Sequence, residues 1–447
     1  MKILVTGSDG FLGKNLCAAL KARKEIALFR FDKDNTRADL DAALECADII
    51  FHLAGVNRPQ NVDELKQGNT DFTESLCSQL LALRPLPTDL SPLTSVPCSP
   101  LPAPCPSPFP LFPPPRPLPL VVFSSSIQAV RDNPYGQSKR GAEAVLENFA
   151  AATGARVVIH RFSNLFGKWS RPNYNTVTAT FCHNIARDMP IQISDPSYRF
   201  DLSYVDDVVE ALLAEIESAG KPGGCTIAPP VTSHNVSLGE LAALIRSFKE
   251  QRTSLLLPDF GNPFVRKLYA TYLSFLPHDQ FAYNLLKRED DRGSLAEFIK
   301  TEGAGQMFVS RTHPGITRGN HYHHTKVEKF LVVEGEGIVR FRSIQPIEPL
   351  RLPLTPSPSV PGAQPLDPSP SHLPLAALPS VAGPPLPAPL SPLLEYRVRG
   401  EDYRVVDIPP GYTHSIENTG KGEMVTLFWA SEVFDPAKPD TYFETVL

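Results

Sequence analysis

Short apolar runs and amphipathic runs take turns along the N-terminal part of the chain. The apolar runs at 2–6, 26–31 and 48–53 have the length of buried strands, and a run with helical spacing follows the first of them. The stretch 64–84 is amphipathic, and the apolar run 120–123 comes after it. Strands that alternate with helices indicate a parallel sheet covered on both faces. We therefore predict an α/β, doubly wound N-terminal half.

The pattern changes towards the C-terminus. Residues 338–341 and 396–398 alternate between apolar and polar positions, as expected of strands with one buried face. These two runs read as the arms of a β-hairpin, so we expect an all-β unit here.

Proline is concentrated in two stretches. Of the 47 prolines, 15 lie in 85–119 and 16 in 346–392. The first stretch separates a helix from a strand, and the second separates the arms of the hairpin. Because the entropy of loop closure grows only logarithmically with length, both sites can accept insertions. We interpret the stretches as disordered insertions, with polyproline ligands, rigid spacers or translated intron sequence as the alternatives.

These insertions divide the predicted domains. The predicted boundaries are an α/β domain at 1–84 and 120–282, and an all-β domain at 283–345 and 393–447.

Composition excludes several classes of protein. The chain has 447 residues, 43 Lys and Arg, 48 Asp and Glu, and a net charge of −5, which argues against a nucleic-acid or anionic-membrane binder. Its seven cysteines form no C-x-x-C pair, and no apolar run has the 18 residues of a membrane span. The N-terminus reads as a strand and a turn instead of a secretory leader. We expect a cytoplasmic homodimer.

A glycine loop follows the first predicted strand. Gly7, Gly10 and Gly13 form a T-G-x-x-G-x-x-G variant of the Rossmann phosphate loop, between a strand and a helix. Gly7 permits a tight turn, Gly10 lets the backbone approach a pyrophosphate, and Gly13 allows close packing of helix on strand. The helix N-terminus then faces the phosphates. The alternative, a glycine-rich turn without a ligand, fits this strand-loop-helix context poorly.

Tyr135 and Lys139 form a Y-x-x-x-K pair, preceded by three serines at 124–126. At i and i+4 on a helix the two side chains share a face. A nearby ammonium favours tyrosinate, so we expect a lowered pKa for Tyr135 and a role in proton transfer. A serine hydroxyl would hold the substrate carbonyl.

Together these motifs resemble the extended short-chain dehydrogenase/reductase family. His52-Leu53-Ala54-Gly55, Arg161-x-x-Asn164 and the run 204–209 match further stations of that family. The resemblance implies Tyr135 as catalytic acid, Lys139 as its partner and ribose ligand, and Ser126 as catalytic serine, with Ser125 left open. Ser126 and Tyr135 are nine residues apart, closer than in most members. The implied cofactor-binding residues are Gly7, Gly10, Phe11, Leu12, Gly13, Arg30, Lys33, Leu53, Ala54, Gly55, Tyr135 and Lys139.

The choice of cofactor rests on the end of the second predicted strand. Arg30 and Lys33 would suit the 2′-phosphate of NADPH, whereas Asp32 would suit the ribose hydroxyl of NAD. Because reductive biosynthesis draws on NADPH, we favour NADPH and keep NAD as the alternative.

A second set of motifs lies near the C-terminus. Residues 315–335 fit the first cupin motif, G-x5-H-x-H-x4-E-x6-G, and 409–418 fit the second, P-x-G-x2-H-x3-N, without its leading glycine. Positions i and i+2 of a strand face the same side, so His321 and His323 would both point into a barrel.

With Glu328 and His414, these histidines make a three-nitrogen, one-carboxylate set suited to zinc or another divalent transition metal. The motifs resemble the cupin family, so the predicted metal ligands are His321, His323, Glu328 and His414. The alternative is a degenerate cupin whose histidines are structural. For His313, His324 and Tyr412 a non-catalytic role is favoured.

A nucleotide-sugar reductase fused to a metal cupin resembles the CapF-type family of bifunctional UDP-sugar enzymes. Supporting segments are 53–59, 164–169 and 434–436. The resemblance implies C3 epimerisation by the cupin and NADPH-dependent C4 reduction of a UDP-2-acetamido-2,6-dideoxy-4-hexulose, toward UDP-N-acetyl-L-fucosamine for surface polysaccharide. Two alternatives stay open: a non-enzymatic NADP-binding sensor, and a sugar epimerase or dehydratase whose cupin is structural.

Overall fold

The computed structural model describes residues 1–85, 116–344 and 391–447. These residues form two compact units, Met1–Ser254 with Pro258–Tyr283 and Leu255–Leu257 with Asn284–Leu447. Most of the two proline-rich stretches, and with them the prediction that both are disordered, lies outside the described residues.

The first unit contains nine strands and nine α-helices within the described residues. The strands are β1 (Lys2–Thr6), β2 (Ala27–Phe31), β3 (Ile49–His52), β4 (Leu120–Ser126), β5 (Arg156–Phe162), β6 (Asn164–Phe166), β7 (Arg199–Tyr204), β8 (Gly224–Ile227) and β9 (His234–Ser237). The helices are α1 (Phe11–Lys21), α2 (Arg37–Cys46), α3 (Asp63–Leu65), α4 (Phe72–Leu83), α5 (Pro134–Thr153), α6 (Val177–Ala186), α7 (Val205–Ala214), α8 (Leu238–Ser254) and α9 (Pro263–Leu273).

Six of these strands form a parallel sheet in the order β2-β1-β3-β4-β5-β8. Ile3 and Val5 pack on one face with α1 and α7, while Leu4 packs on the other face with α2, α4 and α5. Because successive strand residues point to opposite faces, an uninterrupted apolar run such as β1 fills both layers. This is a Rossmann-like, doubly wound sheet.

The amphipathic stretch predicted before β4 is not one regular helix. A π-helical turn, Lys66–Asp71, joins α3 to α4. Such turns are frequent at functional sites, because the extra residue shifts the side chains that follow it.

A smaller sheet, β6-β7-β9, has its own core in the first unit. Phe166, Leu202 and Val236 contribute one buried side chain from each strand, and α6, α8 and α9 cover them.

The second unit is all-β. Its strands are β10 (Lys287–Asp290), β11 (Gly293–Thr301), β12 (Gly305–Thr312), β13 (Thr317–Tyr322), β14 (Glu328–Glu334), β15 (Glu336–Ser343), β16 (Leu394–Arg399), β17 (Val405–Ile408), β18 (Tyr412–Asn418), β19 (Met424–Ala430) and β20 (Tyr442–Phe443). They form two antiparallel sheets, β10-β11-β12-β19-β14-β17 and β16-β15-β18-β13-β20. Phe330 and Ile408 from the first sheet meet Val339 and Ile416 from the second in one apolar core. The predicted fold class, a Rossmann-like sheet followed by an all-β unit, is confirmed.

In the part of the chain that the structure describes, no helix combines the length and the apolar character needed to cross a bilayer.

Candidate active site and candidate metal centre

The glycine loop joins β1 to α1 in a conformation that larger residues cannot adopt. Gly7 has φ +70°, and a Cβ there would lie 2.7 Å from the backbone nitrogen of Ala54. A Cβ on Gly13 would lie 2.0 Å from the carbonyl oxygen of Gly7. Gly10 is the N-cap residue of α1, directly before Phe11. As a glycine, it places no side chain over the N-terminus of the helix. The loop is therefore an open backbone cradle of the kind that holds a pyrophosphate.

The residues after β3 lie against this loop. Leu53 donates its N–H to the carbonyl of Thr6, and Ala54 donates to the Thr6 hydroxyl. A Cβ on Gly55 would lie 3.2 Å from Nζ of Lys139. The structure thus brings the predicted Leu53-Ala54-Gly55 segment next to both the glycine loop and the predicted catalytic lysine.

The end of β2 also faces the glycine loop. Arg30 forms an ion pair with Asp9 in that loop. The carboxylate of Asp32 accepts one hydrogen bond from the N–H of Asp9 at 2.8 Å and another from the N–H of Lys33 at 2.9 Å. The basic residues Arg30 and Lys33 and the acidic residue Asp32 are therefore all present at the expected ribose position. The preference for NADPH over NAD stays a prediction.

Ser126, Tyr135 and Lys139 converge at the carboxyl end of β4. Ser126 is the last residue of β4, and its hydroxyl accepts from the N–H of Gln128 at 3.1 Å and lies near enough to the Tyr135 phenol to lower its pKa. Asn133 caps α5 by accepting from the N–H of Gly136 at 2.8 Å, which fixes the first turn where Tyr135 lies. Lys139 follows one turn later and donates to the carbonyl of Ser124 at 3.1 Å.

Burial sets the pKa values of this group. It raises the pKa of the Tyr135 phenol, against the opposing effect of Ser126. The predicted lowering of the Tyr135 pKa is therefore wrong for this structure, because desolvation of the phenolate outweighs the lowering effect of Ser126. Burial also lowers the pKa of Lys139 to about 8, and Glu143 opposes that shift.

Glu143 was not found by sequence reasoning. It lies one turn after Lys139 and is 3% exposed. Its carboxylate accepts two hydrogen bonds from Arg161, at 2.9 and 2.6 Å, and one from the hydroxyl of Ser125 at 2.5 Å. Ser125 is thus committed to Glu143, whereas Ser126 faces Tyr135.

Two further buried polar groups lie here: His52, which the sequence analysis names only as part of a family motif, and Asn69, which it does not name. The ring of fully buried His52 lies 2.8 Å from the Thr6 hydroxyl and 3.0 Å from the Thr73 hydroxyl. Asn69, on the π-helical turn, donates to the carbonyl of Val56 and to the hydroxyl of Ser138, at 3.0 Å each. The contacts of Asn69 depend on the extra residue of the π-helical turn. The hydrophobic pattern of the sequence does not reveal that turn, so these contacts were not predicted.

In the second unit, the four predicted metal ligands lie together. His321, His323, Glu328 and His414 each offer one ligand atom, and these atoms all lie within 4.8 Å of one another. His321 on β13 pairs with His414 on β18, and Glu328 opens β14. β13 ends at Tyr322, so His323 lies one residue beyond the strand instead of within it.

The donor atoms of this cluster suit a cation. Nδ1 of His323 lies 2.5 Å from the carbonyl oxygen of Asp440, which can only accept, so Nδ1 carries the proton and Nε2 presents a lone pair. Nε2 of His323 lies 3.5 Å and Nε2 of His414 lies 3.4 Å from the same oxygen of Glu328. Both Nε2 atoms are buried, and neither has a hydrogen-bond partner among the described residues. Burial, with His414 nearby, lowers the pKa of His321 to about 4, which keeps that ring neutral at pH 7.

The three other side chains considered with the motif lie outside this cluster. His313 faces Glu423 on the surface, His324 contacts Tyr442, and Tyr412 packs beside Phe341.

Two family models match the chain. One describes the NAD dependent epimerase/dehydratase family and matches residues 112–227. The other describes a polysaccharide biosynthesis C-terminal domain and matches residues 288–357 and 390–442. With the Rossmann-like sheet and its glycine loop, the first match defines a nicotinamide-dependent oxidoreductase.

Whole-chain relatives narrow this class. A Pseudomonas aeruginosa protein named UDP-2-acetamido-2,6-beta-L-arabino-hexul-4-ose reductase is 38% identical, over 99% of this chain and 98% of its own. The crystal structure of the capsular polysaccharide assembling protein CapF from Staphylococcus aureus matches with a TM-score of 0.77 and 39% identity, and covers 100% of both chains. CapF bound to the inhibitor 3-isopropenyl-tropolone matches over the same extent with a TM-score of 0.72 and 36% identity. The chain belongs to the family of these proteins, as the sequence predicts.

Proposed function

We propose that the chain is a bifunctional enzyme acting on a UDP-2-acetamido-2,6-dideoxy-4-hexulose. The second unit epimerises C3, and the first unit then reduces the C4 ketone with NADPH, toward UDP-N-acetyl-L-fucosamine for surface polysaccharide. The substrate follows from the name of the reductase that is 38% identical over nearly the whole chain. The proposal includes a homodimer, which sedimentation velocity tests.

One observation carries the reductase part: Ser126 at the end of β4 lies near Tyr135 on α5, and Lys139 follows one turn later, with its Nζ beside Gly55. Ser126 would bind the C4 oxygen and orient it towards Tyr135. Tyr135 would donate its proton as negative charge develops on that oxygen, and the charged form of Lys139 would stabilise the resulting tyrosinate. A raised phenol pKa keeps Tyr135 protonated at neutral pH, which suits an acid.

NADPH, when bound, would supply the hydride. The residues proposed to hold it are those of the glycine loop, the segment after β3, and Arg30 and Lys33 at the end of β2. The Arg30 guanidinium is half exposed and paired only with Asp9 among the described residues, so a 2′-phosphate could replace that partner. The alternative, NAD, is tested by comparing kcat/KM for the two cofactors.

The second unit is proposed to be a cupin with one divalent ion, zinc by preference, held by His321, His323, Glu328 and His414. A bound ion would supply Lewis acidity or hold the strands together. The ketone acidifies the C3 hydrogen, so epimerisation requires a base on one face of the sugar and an acid on the other. Among the ligand candidates, His321 has a pKa that burial lowers to about 4, so its ring is neutral at pH 7.

A compound that binds a related protein offers a test of whether the second unit is catalytic or purely structural. The related CapF has been crystallised with a tropolone inhibitor. Tropolones carry a ketone beside a hydroxyl, and oxygen pairs of this kind bind divalent ions. Inhibition of C3 exchange by this compound in the present protein would favour the bifunctional enzyme over a reductase with a structural cupin.

The experiment that tests the proposal uses the enzymatically prepared 4-keto UDP-sugar in D₂O. The full chain should incorporate deuterium at C3 without NADPH, and should oxidise NADPH stoichiometrically with sugar reduction when NADPH is added. NADPH binding without turnover of this sugar would favour a sensor. Reduction without C3 exchange would favour a reductase whose second unit is structural.

A further inference from the structure

Residues 440–446, here called the C-terminal strap, cross the strand that carries one of the four metal-ligand candidates. β20, within the strap, pairs antiparallel with β13, with Phe443 opposite His321 and Tyr442 opposite Tyr322. The N–H of Glu444 donates to the carbonyl of Asn320 at 3.0 Å. The strap thus fixes the backbone on both sides of His321.

Asp440, the first residue of the strap, binds the loop that joins His323 to Glu328. Its carboxylate accepts hydrogen bonds from three successive N–H groups, those of His324 at 2.9 Å, Thr325 at 2.8 Å and Lys326 at 2.9 Å. It also accepts from the hydroxyl of Thr325 at 3.0 Å. These three N–H groups belong to a loop and form no strand pairing among the described residues. Their hydrogen bonds to one carboxylate fix the path of that loop.

The main chain of Asp440 acts on the ligand itself. Its carbonyl oxygen accepts the proton of Nδ1 of His323 at 2.5 Å, so Nε2 is left as a lone pair aimed at Glu328. Groups that hold the far nitrogen of a metal-binding histidine set both its tautomer and its orientation, and their loss typically weakens metal binding by about 10- to 100-fold.

We propose that Asp440 is a positioning residue for the metal centre. Its carboxylate holds the loop 324–326 so that His323 and Glu328 face one point, and its carbonyl fixes the tautomer of His323. Without the carboxylate, His321 and His414 keep their strand positions, whereas the other two ligands lose their alignment. This inference rests on the proposed metal site.

The test is the metal affinity of the full chain, measured by competition between the metal-free protein and a chromophoric chelator for Zn²⁺. Asp440→Asn should weaken Zn²⁺ binding by about 10- to 100-fold. Asp435→Asn is the matched control, because Asp435 lies just before the strap and its carboxylate accepts, among the described residues, only from the N–H of Ala437. That control should bind Zn²⁺ as the parent does.

A second readout separates positioning from general stability. The visible spectrum of the Co²⁺-substituted protein should change in Asp440→Asn and not in Asp435→Asn, because this spectrum reports the geometry of the ligands and not the stability of the fold. An unchanged Zn²⁺ affinity, or a loss of metal-free stability with an unchanged Co²⁺ spectrum, overturns the proposal.

Two further outcomes keep the test decisive. If Asp440→Asn does not fold, Asp440→Glu keeps the charge but moves it by one methylene, and an unchanged Zn²⁺ affinity of that variant overturns the proposal. If the parent itself binds no Zn²⁺ or Co²⁺, the proposed metal centre fails, which is a different result from a parent that binds metal equally well without Asp440.

Discussion

The hydroxyl of Thr6 lies 2.8 Å from Nδ1 of His52, and this contact joins the ends of two neighbouring parallel strands. Thr6 immediately precedes the glycine loop, and its hydroxyl also accepts from the N–H of Ala54. The other ring nitrogen of His52 reaches Thr73 on α4. The fully buried imidazole of His52 thus packs beneath the glycine loop, on the side of the sheet, and holds the end of β1 that leads into this loop.

His52 makes the stability of the first unit depend on pH. Burial, with Lys139 nearby, lowers the pKa of His52 to about 3, whereas the unfolded chain takes up that proton near pH 6.5. The unfolded state therefore binds more protons between these values, and the free energy of unfolding falls as pH falls through this window. His52→Asn should reduce this loss, while His278→Asn, at an exposed position, should not.

The measurement is urea unfolding in a Trp429→Phe background, where the fluorescence of Trp169 reports on the first unit. An equal pH dependence in parent and His52→Asn would show that His52 is not the group responsible.

Tyr135→Phe should lower NADPH oxidation by about 10²- to 10⁴-fold, because it removes the proton donor while the ring stays in place. C3 deuterium exchange should continue at the parent rate if the two reactions use separate sites. Tyr198→Phe, at an exposed position, serves as the control. Joint loss of reduction and exchange in a folded variant with normal metal content would refute the two-site proposal.

Glu143→Gln should move the pH profile of reduction. Glu143 raises the pKa of Lys139, which burial lowers to about 8, so loss of the carboxylate lowers that pKa further. If charged Lys139 is required, kcat/KM for NADPH oxidation falls as pH rises through this pKa, and the decline should begin at lower pH in the variant. Glu147→Gln, one turn later and exposed, should leave the profile in place, and an unmoved profile in Glu143→Gln would argue against the role of Lys139.

Purified protein should contain one divalent ion per chain by elemental analysis. His323→Ala should lose the ion and C3 exchange together, whereas His324→Ala should keep both, since His324 is exposed and lies outside the cluster. NADPH binding should survive in both variants. Because ligand nitrogens must be deprotonated to bind the ion, metal affinity should weaken as pH falls. Full occupancy in His323→Ala would exclude this ligand set.

Deletion of residues 86–115 should leave a folded chain, whereas deletion of 85–119 should destabilise it. Leu118 packs against the first core, and the carbonyl of Pro117 accepts from Arg84 at 2.8 Å. The predicted insertion boundary at 119 would therefore cut into packed residues. Melting temperatures of the two deletion proteins measure the difference, and equal values would show that residues 85 and 116–119 contribute nothing to stability.

Features fixed by local spacing were predictable from the sequence. The glycines at 7, 10 and 13 and the pair Tyr135 and Lys139 follow from loop and helix geometry, so the structure places them as expected. Contacts between distant segments were not predictable in this way. Glu143 meets Arg161 only because α5 packs on the neighbouring strand, and the pKa of Tyr135 depends on how deeply that packing buries it.

The contact between His323 and Asp440 joins positions 117 residues apart. During synthesis on the ribosome, all four ligand candidates therefore emerge before the residue that orients one of them. In a growing chain, a metal ion would find the four ligand candidates loosely arranged. Tight binding would begin only after the strap has been translated and has paired with β13. Truncated translation products that end before residue 440 would then compete poorly for zinc in the cell, so the ion would be directed to chains in which the second unit is complete.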